Sequence, residues 1–192
     1  MKIRPASKAQ KRSTRGGSTI CETTTRLTVH PQNRPMNLEP KRILIAEDHY
    51  VSRHLLERNL TNWGFQVHTA EDGEAALKIL EGENPPSLVL IDWMMPKMDG
   101  LEVCRRVRAR VGRPFTYVLL LTARSRKDEL AAALEAGVDE YVIKPYEAGE
   151  LRARLKVARR VVALERLLAL REKELGEAKA ELARARGAKP PA

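Results

Sequence analysis

Residues 88–100 read LVLIDWMMPKMDG. The first four residues form an unbroken apolar run, which the acidic residue Asp92 follows directly. An apolar run of this kind is typical of a strand that is covered on both faces of a parallel sheet. Similar runs alternate with segments of helical period, which predicts strands at residues 42–46, 66–70, 88–91, 117–122 and 141–143. We therefore expect an α/β fold, in which helices cover both faces of a five-stranded parallel sheet in a doubly wound arrangement.

Helices are predicted in the intervals between the strands. The first is expected at residues 50–63, with Val51, Leu55 and Leu56 facing the core. Asp72 is placed to cap the second helix through its carboxylate. The remaining helices are expected after residue 100, at residues 127–136 and from residue 151 onward.

The formal net charge of +10 suggests a nucleic-acid partner at first sight, but the charge is unevenly distributed. Residues 41–146 hold 15 basic and 16 acidic groups, a net charge of −1. Residues 1–40 hold 8 and 2, and residues 147–192 hold 12 and 7, which gives +6 and +5. Since the basic excess lies outside the central segment and no nucleic-acid-reading motif is visible, we do not expect nucleic-acid binding.

Composition divides the chain into four segments. Residues 1–40 are rich in Ser, Thr, Arg and Pro and predict a disordered basic tail, with Met36 as an alternative natural start. Residues 41–150 predict one globular domain, residues 151–186 a long helix, and residues 187–192 a second disordered tail. No apolar stretch approaches the roughly 20 residues of a membrane-spanning helix, and Cys21 and Cys104 lack the spacing of a disulfide or metal motif. A cytoplasmic protein without membrane association is expected.

Polar side chains follow four of the predicted strands at their carboxyl ends. Glu47 and Asp48 follow the first strand, Asp92 the third, Thr122 closes the fourth, and Lys144 follows the fifth. Because the carboxyl ends of parallel strands share one edge of the sheet, we expect these groups to lie together. Three neighbouring carboxylates would repel one another without a cation, and oxygen ligands favour a hard ion, Mg²⁺ or Mn²⁺.

Such a site is suited to phosphoryl transfer. Asp92 is placed to attack a phosphoryl group and form an aspartyl phosphate, a known form of nucleophilic catalysis by a carboxylate. Lys144 would neutralise charge on the transferred group. The hydroxyl of Thr122 can hydrogen-bond a phosphate oxygen only when the phosphate is present, so Thr122 is a candidate trigger of a switch.

Four motifs together resemble the receiver domain of two-component response regulators. They are Ile-Leu-Ile-Ala-Glu47-Asp48, Asp92-Trp-Met-Met-Pro-Lys-Met-Asp-Gly100, Leu-Leu-Leu-Thr122-Ala123 and Tyr141-Val-Ile-Lys144-Pro145. The resemblance covers residues 41 to about 150 and implies a flavodoxin-like fold of five βα units. One departure is Glu47, because the first acid of the pair is most often Asp in this family.

The resemblance also implies roles for individual residues. Mg²⁺ would be held by Asp48, Asp92 and the backbone carbonyl of Met94, with Glu47 assisting through water. Tyr141 would be a switch aromatic that moves inward when Thr122 engages the phosphate, and Pro145 would follow a cis peptide bond. The phosphodonor would be a phosphohistidine on a sensor histidine kinase or a phosphotransfer protein. Beyond self-phosphorylation and slow autodephosphorylation, no conventional enzymatic activity is expected.

The C-terminal segment, residues 151–186, has its apolar residues in alternating steps of four and three, the spacing of a coiled-coil seam. An isolated helix of this length would expose a stripe of leucines, so a parallel homodimer is expected. The positions with this spacing are Val157, Val161, Leu164, Leu168, Arg171, Leu175, Ala178, Leu182 and Ala185.

The sequence thus favours a stand-alone receiver in which phosphorylation on Asp92 changes dimerisation or partner binding through the Tyr141 face and the coil. Three alternatives stay open. One is a coiled-coil scaffold or adaptor in which phosphorylation is secondary. Another is a regulator that has lost a C-terminal output domain such as a diguanylate cyclase. The least favoured is a DNA-associated regulator that uses its basic ends, since no nucleic-acid-reading motif is visible.

Overall fold

The computed structural model describes residues 39–187, which form five strands and five helices. Apart from residues 39–40 and 187, the two predicted tails lie outside the described residues. The predicted α/β fold is confirmed, and the strands agree with the predicted ones to within one residue at each end. In chain order the elements are β1 (Arg42–Ala46), α1 (Tyr50–Asn62), β2 (Gln66–Ala70), α2 (Gly73–Glu81), β3 (Leu88–Asp92), α3 (Gly100–Arg108), β4 (Tyr117–Thr122), α4 (Lys127–Glu135), β5 (Glu140–Ile143) and α5 (Ala148–Gly187).

The five strands form one parallel sheet in the order β2-β1-β3-β4-β5. β1 pairs with β2 on one side and with β3 on the other, so the direction of winding reverses between β1 and β3. In doubly wound folds a ligand site lies beyond the carboxyl ends of the strands at such a reversal. The fold therefore points to the ends of β1 and β3.

The core consists of two layers, one on each face of the sheet. Because side chains alternate along a strand, Ile43 and Ile45 of β1 belong to one layer and Leu44 and Ala46 to the other. α1 and α5 cover the first layer, and α2, α3 and α4 cover the second. Burial on both faces explains why β1, β3 and β4 read as continuous apolar runs.

The inner face of α1 differs from the prediction. Leu56 and Leu60 are buried, but Val51 and Leu55 are 64% and 58% exposed. α1 carries apolar residues on two adjoining faces, and only the face of Leu56 and Leu60, four residues apart, packs on the sheet. The prediction for Val51 and Leu55 was therefore wrong.

The N-terminus of α2 is capped as predicted. Asp72 Oδ1 accepts a hydrogen bond of 2.7 Å from the backbone N–H of Ala75. The side chain of Lys97 reaches the other oxygen of Asp72, with 2.5 Å between Nζ and Oδ2. Lys97 adopts a positive φ of 64° in the loop between β3 and α3, so this contact ties that loop to the start of α2.

α5 is 40 residues long, and its first part belongs to the core. Leu151, Leu155, Ala158 and Val162 are buried against the sheet face that α1 also covers. Within residues 39–187, no helix is both long and apolar enough to cross a membrane.

Arg108, the last residue of α3, joins three backbone segments at the far edge of the sheet. Its Nε donates to the carbonyl of Gly137 at 2.8 Å, one terminal nitrogen donates to the carbonyl of Thr116 at 2.7 Å, and the other pairs with Asp139. Asp139 also accepts a hydrogen bond of 2.7 Å from the backbone N–H of Val118. Burial raises the pKa of Asp139, while the Val118 N–H and Arg108 act in the opposite direction.

Replacing Arg108 with alanine should lower the free energy of unfolding by about 2–3 kcal/mol, because it leaves two carbonyls and a half-buried carboxylate without their partner. Urea denaturation of the purified protein measures this change. The matched control is Arg105→Ala on the same helix, which removes only an exposed ion pair with Glu102 and should cost less than about 1 kcal/mol. Equal losses for the two variants would contradict the structural role of Arg108.

Candidate functional site

The polar residues that the sequence places at the strand ends come together in the structure. Glu47 and Asp48 follow β1, Asp92 is the last residue of β3, and Lys144 follows β5. Side-chain oxygens of Glu47, Asp48 and Asp92 all lie within 4.8 Å of one another. Glu47 is 2% exposed and Asp92 9% exposed, whereas Asp48 is open to solvent.

Lys144 forms ion pairs with two of the three carboxylates. Its Nζ lies 2.7 Å from Glu47 Oε2 and 2.5 Å from Asp92 Oδ2. Burial is the main reason that the pKa of Glu47 is raised; the hydrogen bond from Lys144 opposes this increase and the charge of Asp92 adds to it. Burial is the largest single influence on the pKa of Lys144 and would lower it, but the hydrogen bonds with Asp92 and Glu47 and the negative charges of these two residues together raise it. Lys144 is therefore held as a cation beside Asp92.

The backbone before and after Asp92 fixes its carboxylate. Oδ1 accepts a hydrogen bond of 3.1 Å from the N–H of Met94, and Oδ2 faces Lys144. Gly100 N donates to the carbonyl of Trp93 at 2.9 Å, which folds the loop after Asp92 back onto the end of β3. This close approach requires glycine, since a Cβ at residue 100 would lie 2.3 Å from the carbonyl oxygen of Asp92.

The residues present fit a hard divalent cation. The acidic cluster offers only oxygen ligands, and its three carboxylates outnumber the single ammonium of Lys144. A further cation, Arg53, bonds the backbone carbonyls of Glu47 and Asp48 at 2.6 and 3.0 Å, so it holds the backbone there and forms no hydrogen bond to the carboxylates within residues 39–187. The local charge remains negative, and such a site favours Mg²⁺.

Thr122 and Tyr141 lie on the neighbouring strands. Thr122 is fully buried at the end of β4, and its Oγ1 accepts a hydrogen bond of 2.9 Å from the N–H of Arg124. Tyr141 lies on β5 opposite Leu120 and is half-buried against the core layer of α2, α3 and α4. The peptide bond between Lys144 and Pro145 is cis.

Arg124 is a site residue that the sequence analysis missed. Its guanidinium lies over the ring of Trp93, with 4.8 Å between Cζ and the ring centroid, and pairs with Glu129 at 2.8 Å. It also contacts the sulfur of Met94 at 3.5 Å. Arg124 thus lies across the loops that follow Asp92 and Thr122. Its position two residues after Thr122 is the signal that could have identified it.

A separate surface cavity lies away from the acidic cluster. A cavity of about 590 Å³ opens where α1 ends and α5 begins, lined by Trp63, Phe65, Arg152, Arg159 and other residues. None of the strand-end acids lines it. The cavity and the acidic cluster at the carboxyl ends of the strands are therefore separate features of the surface.

The structure thus belongs to the class of doubly wound α/β domains, with an acidic cluster at the edge of the sheet where such folds hold their ligands. The sequence model of the family described as "Response regulator receiver domain" matches residues 43–156. The chain belongs to the response regulator receiver domain family.

Individual relatives agree with this assignment. The chain is 43% identical over 117 residues to "Response regulator MprA" of Mycolicibacterium vanbaalenii, and the alignment covers 61% of this chain and 49% of that protein. It is 40% identical over 121 residues to "Probable transcriptional regulator ycf27" of Cyanophora paradoxa, covering 63% and 49%. The solved receiver domain of the Francisella response regulator 1452 has a TM-score of 0.58 and 28% identity, covering 63% of this chain and 97% of that one. The chain thus spans about half the length of the curated relatives it matches.

Proposed function

We propose that the chain accepts a phosphoryl group on Asp92 from a phosphohistidine of a sensor histidine kinase or a phosphotransfer protein, in a Mg²⁺-dependent reaction (Mn²⁺ as an alternative) in the cytoplasm. The observation that carries the proposal is the ion pair of 2.5 Å between Lys144 Nζ and Asp92 Oδ2 inside the acidic cluster. Membership of the receiver family supports it, since receiver domains interact with such phosphodonors and bind Mg²⁺ in an acidic pocket.

In the proposed reaction an oxygen of Asp92 attacks the phosphorus and forms a P–O bond. The P–N bond of the phosphohistidine breaks, and its electron pair returns to the imidazole nitrogen. The histidine leaves as a neutral imidazole when its other ring nitrogen carries a proton, and otherwise it takes up a proton from water. Asp48, Asp92 and the carbonyl of Met94, assisted by Glu47, would hold the Mg²⁺, which neutralises charge on the phosphoryl oxygens when bound. Lys144 then exchanges its contact with the Asp92 carboxylate for one with the new phosphoryl group.

The switch is proposed to begin at Thr122. Its hydroxyl now accepts a hydrogen bond from Arg124 N, and it is free to donate its proton to a phosphate oxygen. That donation would draw the loop after β4 toward Asp92 and make room for Tyr141, which is half-buried on the adjacent strand. Partner binding on the Tyr141 face would change as a result.

A second route leads from the site to α5. Lys144 N donates to the carbonyl of Thr122 at 2.7 Å, and α5 begins only four residues later at Ala148. A displacement of Lys144 on phosphorylation therefore reaches the helix by a short covalent path. We propose that the exposed part of α5 forms a homodimer and that phosphorylation alters this dimer.

One observation favours a second candidate function. Leu164, Leu168, Leu175 and Leu182 are all more than half exposed on α5, so the helix itself has a surface suited to binding. A scaffold or adaptor that works through this surface, with phosphorylation secondary, would use the same chain differently.

The decisive test is to incubate the protein with acetyl phosphate and measure its intact mass with Mg²⁺, with Mn²⁺ and with excess EDTA. We expect a mass increase of one phosphoryl group with either cation, loss of the adduct in EDTA, and slow reversal after the donor is removed.

Oligomeric state, measured in parallel for wild type and Asp92→Ala, separates the two candidate functions. If the donor leaves the oligomeric state and partner binding of both proteins identical, the scaffold function is favoured; absence of any adduct would refute the phosphoacceptor proposal.

A further inference from the structure

The outer face of α5 is apolar over most of its length. Val157, Leu164, Leu168, Leu175 and Leu182 are 53%, 65%, 54%, 55% and 53% exposed. The buried residues of the same helix, Leu151, Leu155, Ala158 and Val162, lie on a different face, which packs against the sheet, and Val161 is partly buried at the border between the two faces. The exposed residues, together with those that complete their four-three spacing, are called the α5 seam: Val157, Val161, Leu164, Leu168, Arg171, Leu175, Ala178, Leu182 and Ala185.

We propose that two copies of this chain pair along the α5 seam as a parallel, in-register two-stranded coiled coil, whose register is specified by the charges beside the seam and by Arg171. This inference rests on the dimer proposed above but not on phosphorylation. A parallel pair is already expected from the sequence; the inference adds the register of the two helices and the residues that determine both orientation and register.

The charges beside the seam are complementary in the parallel arrangement. In a parallel coiled coil, the residue just before every second core position faces the residue five positions later on the partner helix. In the α5 seam these core positions are Val161, Leu168, Leu175 and Leu182. Arg160 of one copy therefore faces Glu165 of the other, Glu174 faces Lys179, and Glu181 faces Arg186. All three pairs are of opposite charge and occur twice in a dimer. The fourth pair, Leu167 with Glu172, is not an ion pair.

The antiparallel arrangement of the same seam is less favourable. In this arrangement Leu164 of one copy packs against Leu182 of the other. Residues that precede core positions then face one another across the interface, and so do residues that follow core positions. Glu172 then faces Glu172 and Glu174 faces Glu174 at the centre of the interface, and both are like-charge pairs. The opposite charges of Glu165 and Lys179 give the one attractive contact between flanking positions in this arrangement. Charge complementarity thus favours the parallel dimer.

Arg171 is the polar member of an otherwise apolar seam. Its guanidinium pairs with Glu174 of the same helix at 2.7 Å, and Glu172 is adjacent in sequence. In the parallel, in-register dimer the two Arg171 side chains share one layer that also holds four glutamates, so neither guanidinium lacks a counter-charge. A shift by one heptad would place Arg171 against Leu164 or Ala178 and bury a charge against an apolar layer. A single polar layer of this kind specifies register at a cost in stability.

Disulfide cross-linking tests the orientation and register directly. In the full-length chain with Cys21→Ser, Leu175→Cys places a thiol in a layer where the two copies meet, whereas the control Ala180→Cys lies on the opposite side of the helix. Cys104 is fully buried, and burial raises its pKa to about 11, so it can remain. We expect covalent dimers from Leu175→Cys under mild oxidation and few from Ala180→Cys.

A mixed experiment reports on the antiparallel alternative. When Leu164→Cys and Leu182→Cys proteins are combined, a parallel dimer gives no disulfide between the two variants, and an antiparallel dimer gives that heterodimer in high yield. Heterodimers between the two variants, or equal yields from Leu175→Cys and Ala180→Cys, would overturn the proposal. Covalent dimers confined to the in-register positions support it.

A charge exchange tests the flanking pairs without introducing a thiol. Arg186→Glu converts the two attractive Glu181–Arg186 pairs to repulsive ones and should weaken self-association several-fold, up to about tenfold, measured by sedimentation equilibrium. Adding Glu181→Lys reverses both charges without touching the Arg171 layer and should restore most of the affinity, a recovery that a purely structural effect of either substitution would not give. Without that recovery, the charges do not specify the pairing. All measurements are made without phosphodonor and repeated in Asp92→Asn, so failure of this inference leaves the phosphoacceptor proposal untouched.

Discussion

Asp92→Asn should accept no phosphoryl group from acetyl phosphate in the presence of Mg²⁺. The amide has almost the shape of the carboxylate, but it is a poor nucleophile and removes one of the three charges that would hold a cation. The hydrogen bond from Met94 N to the side-chain oxygen can persist, and Lys144 keeps its ion pair with Glu47. We expect the adduct to fall below detection by intact mass while the fold is retained.

The stability of the same variant separates chemistry from unfolding. Losing the contact with Lys144 destabilises the fold, and losing repulsion from Glu47 and Asp48 stabilises it, so the free energy of unfolding without metal should change by no more than about 1 kcal/mol. The control is Asp99→Asn, which removes a carboxylate from the same loop. Asn caps a helix about as well as Asp, so α3 and the phosphoryl adduct should both be preserved. An adduct that persists on Asp92→Asn would show that another residue is the phosphoacceptor.

The sequence predicted the strands and the meeting of the acidic residues because these follow from patterns that tolerate little ambiguity. Five short apolar runs separated by helical segments permit few folds other than a parallel sheet. Once the sheet is parallel, residues after its strands share an edge, so Glu47, Asp92 and Lys144 could be brought together before any distance was known. The sequence could predict this cluster because the order of residues along the chain already shows which side chains follow each strand.

The errors and omissions concern side-chain packing, which depends on neighbours that are distant in sequence. Val51 and Leu55 have the same apolar character as Leu56, and they are exposed because the helix packs on the sheet through the face of Leu56 and Leu60. Arg124 is one of many arginines in the chain, and its place over Trp93 depends on how two separate loops approach each other. The position of Arg124 two residues after Thr122 indicates that it lies near the site, but neither its contact with Trp93 nor the exposure of Val51 and Leu55 is encoded in a local pattern.

The acidic site and the α5 seam lie on different parts of the chain and make separate demands on it. The site needs rigid strand ends that hold like charges together, which the buried sheet supplies. The seam needs an exposed apolar surface that remains soluble, and the charged residues between its apolar positions supply that. The short path from Lys144 to Ala148 is where the two could be coupled, so Asp92→Asn and the seam variants should be combined to measure that coupling.

Gly100→Ala should destabilise the protein by about 3 kcal/mol or more and should also impair phosphorylation. An alanine Cβ would lie 2.3 Å from the carbonyl oxygen and 3.1 Å from the carbonyl carbon of Asp92, closer than van der Waals contact allows. Neither side can move easily, because β3 is paired on both sides and Gly100 N is bonded to the carbonyl of Trp93. The strain must therefore displace the backbone that carries Asp92.

The sign of this change is informative, because helix propensity alone predicts the opposite. Gly100 begins α3, and replacing a helical glycine with alanine ordinarily stabilises a protein by up to about 1 kcal/mol. At Gly149, near the start of α5, an added Cβ would have no neighbouring atom within 4 Å, so Gly149→Ala should show that ordinary gain. Urea denaturation of both variants, together with the yield of phosphoryl adduct, measures the contrast. If Gly100→Ala were as stable as Gly149→Ala, the close packing of α3 on the end of β3 would be wrong, and with it the rigid placement of Asp92.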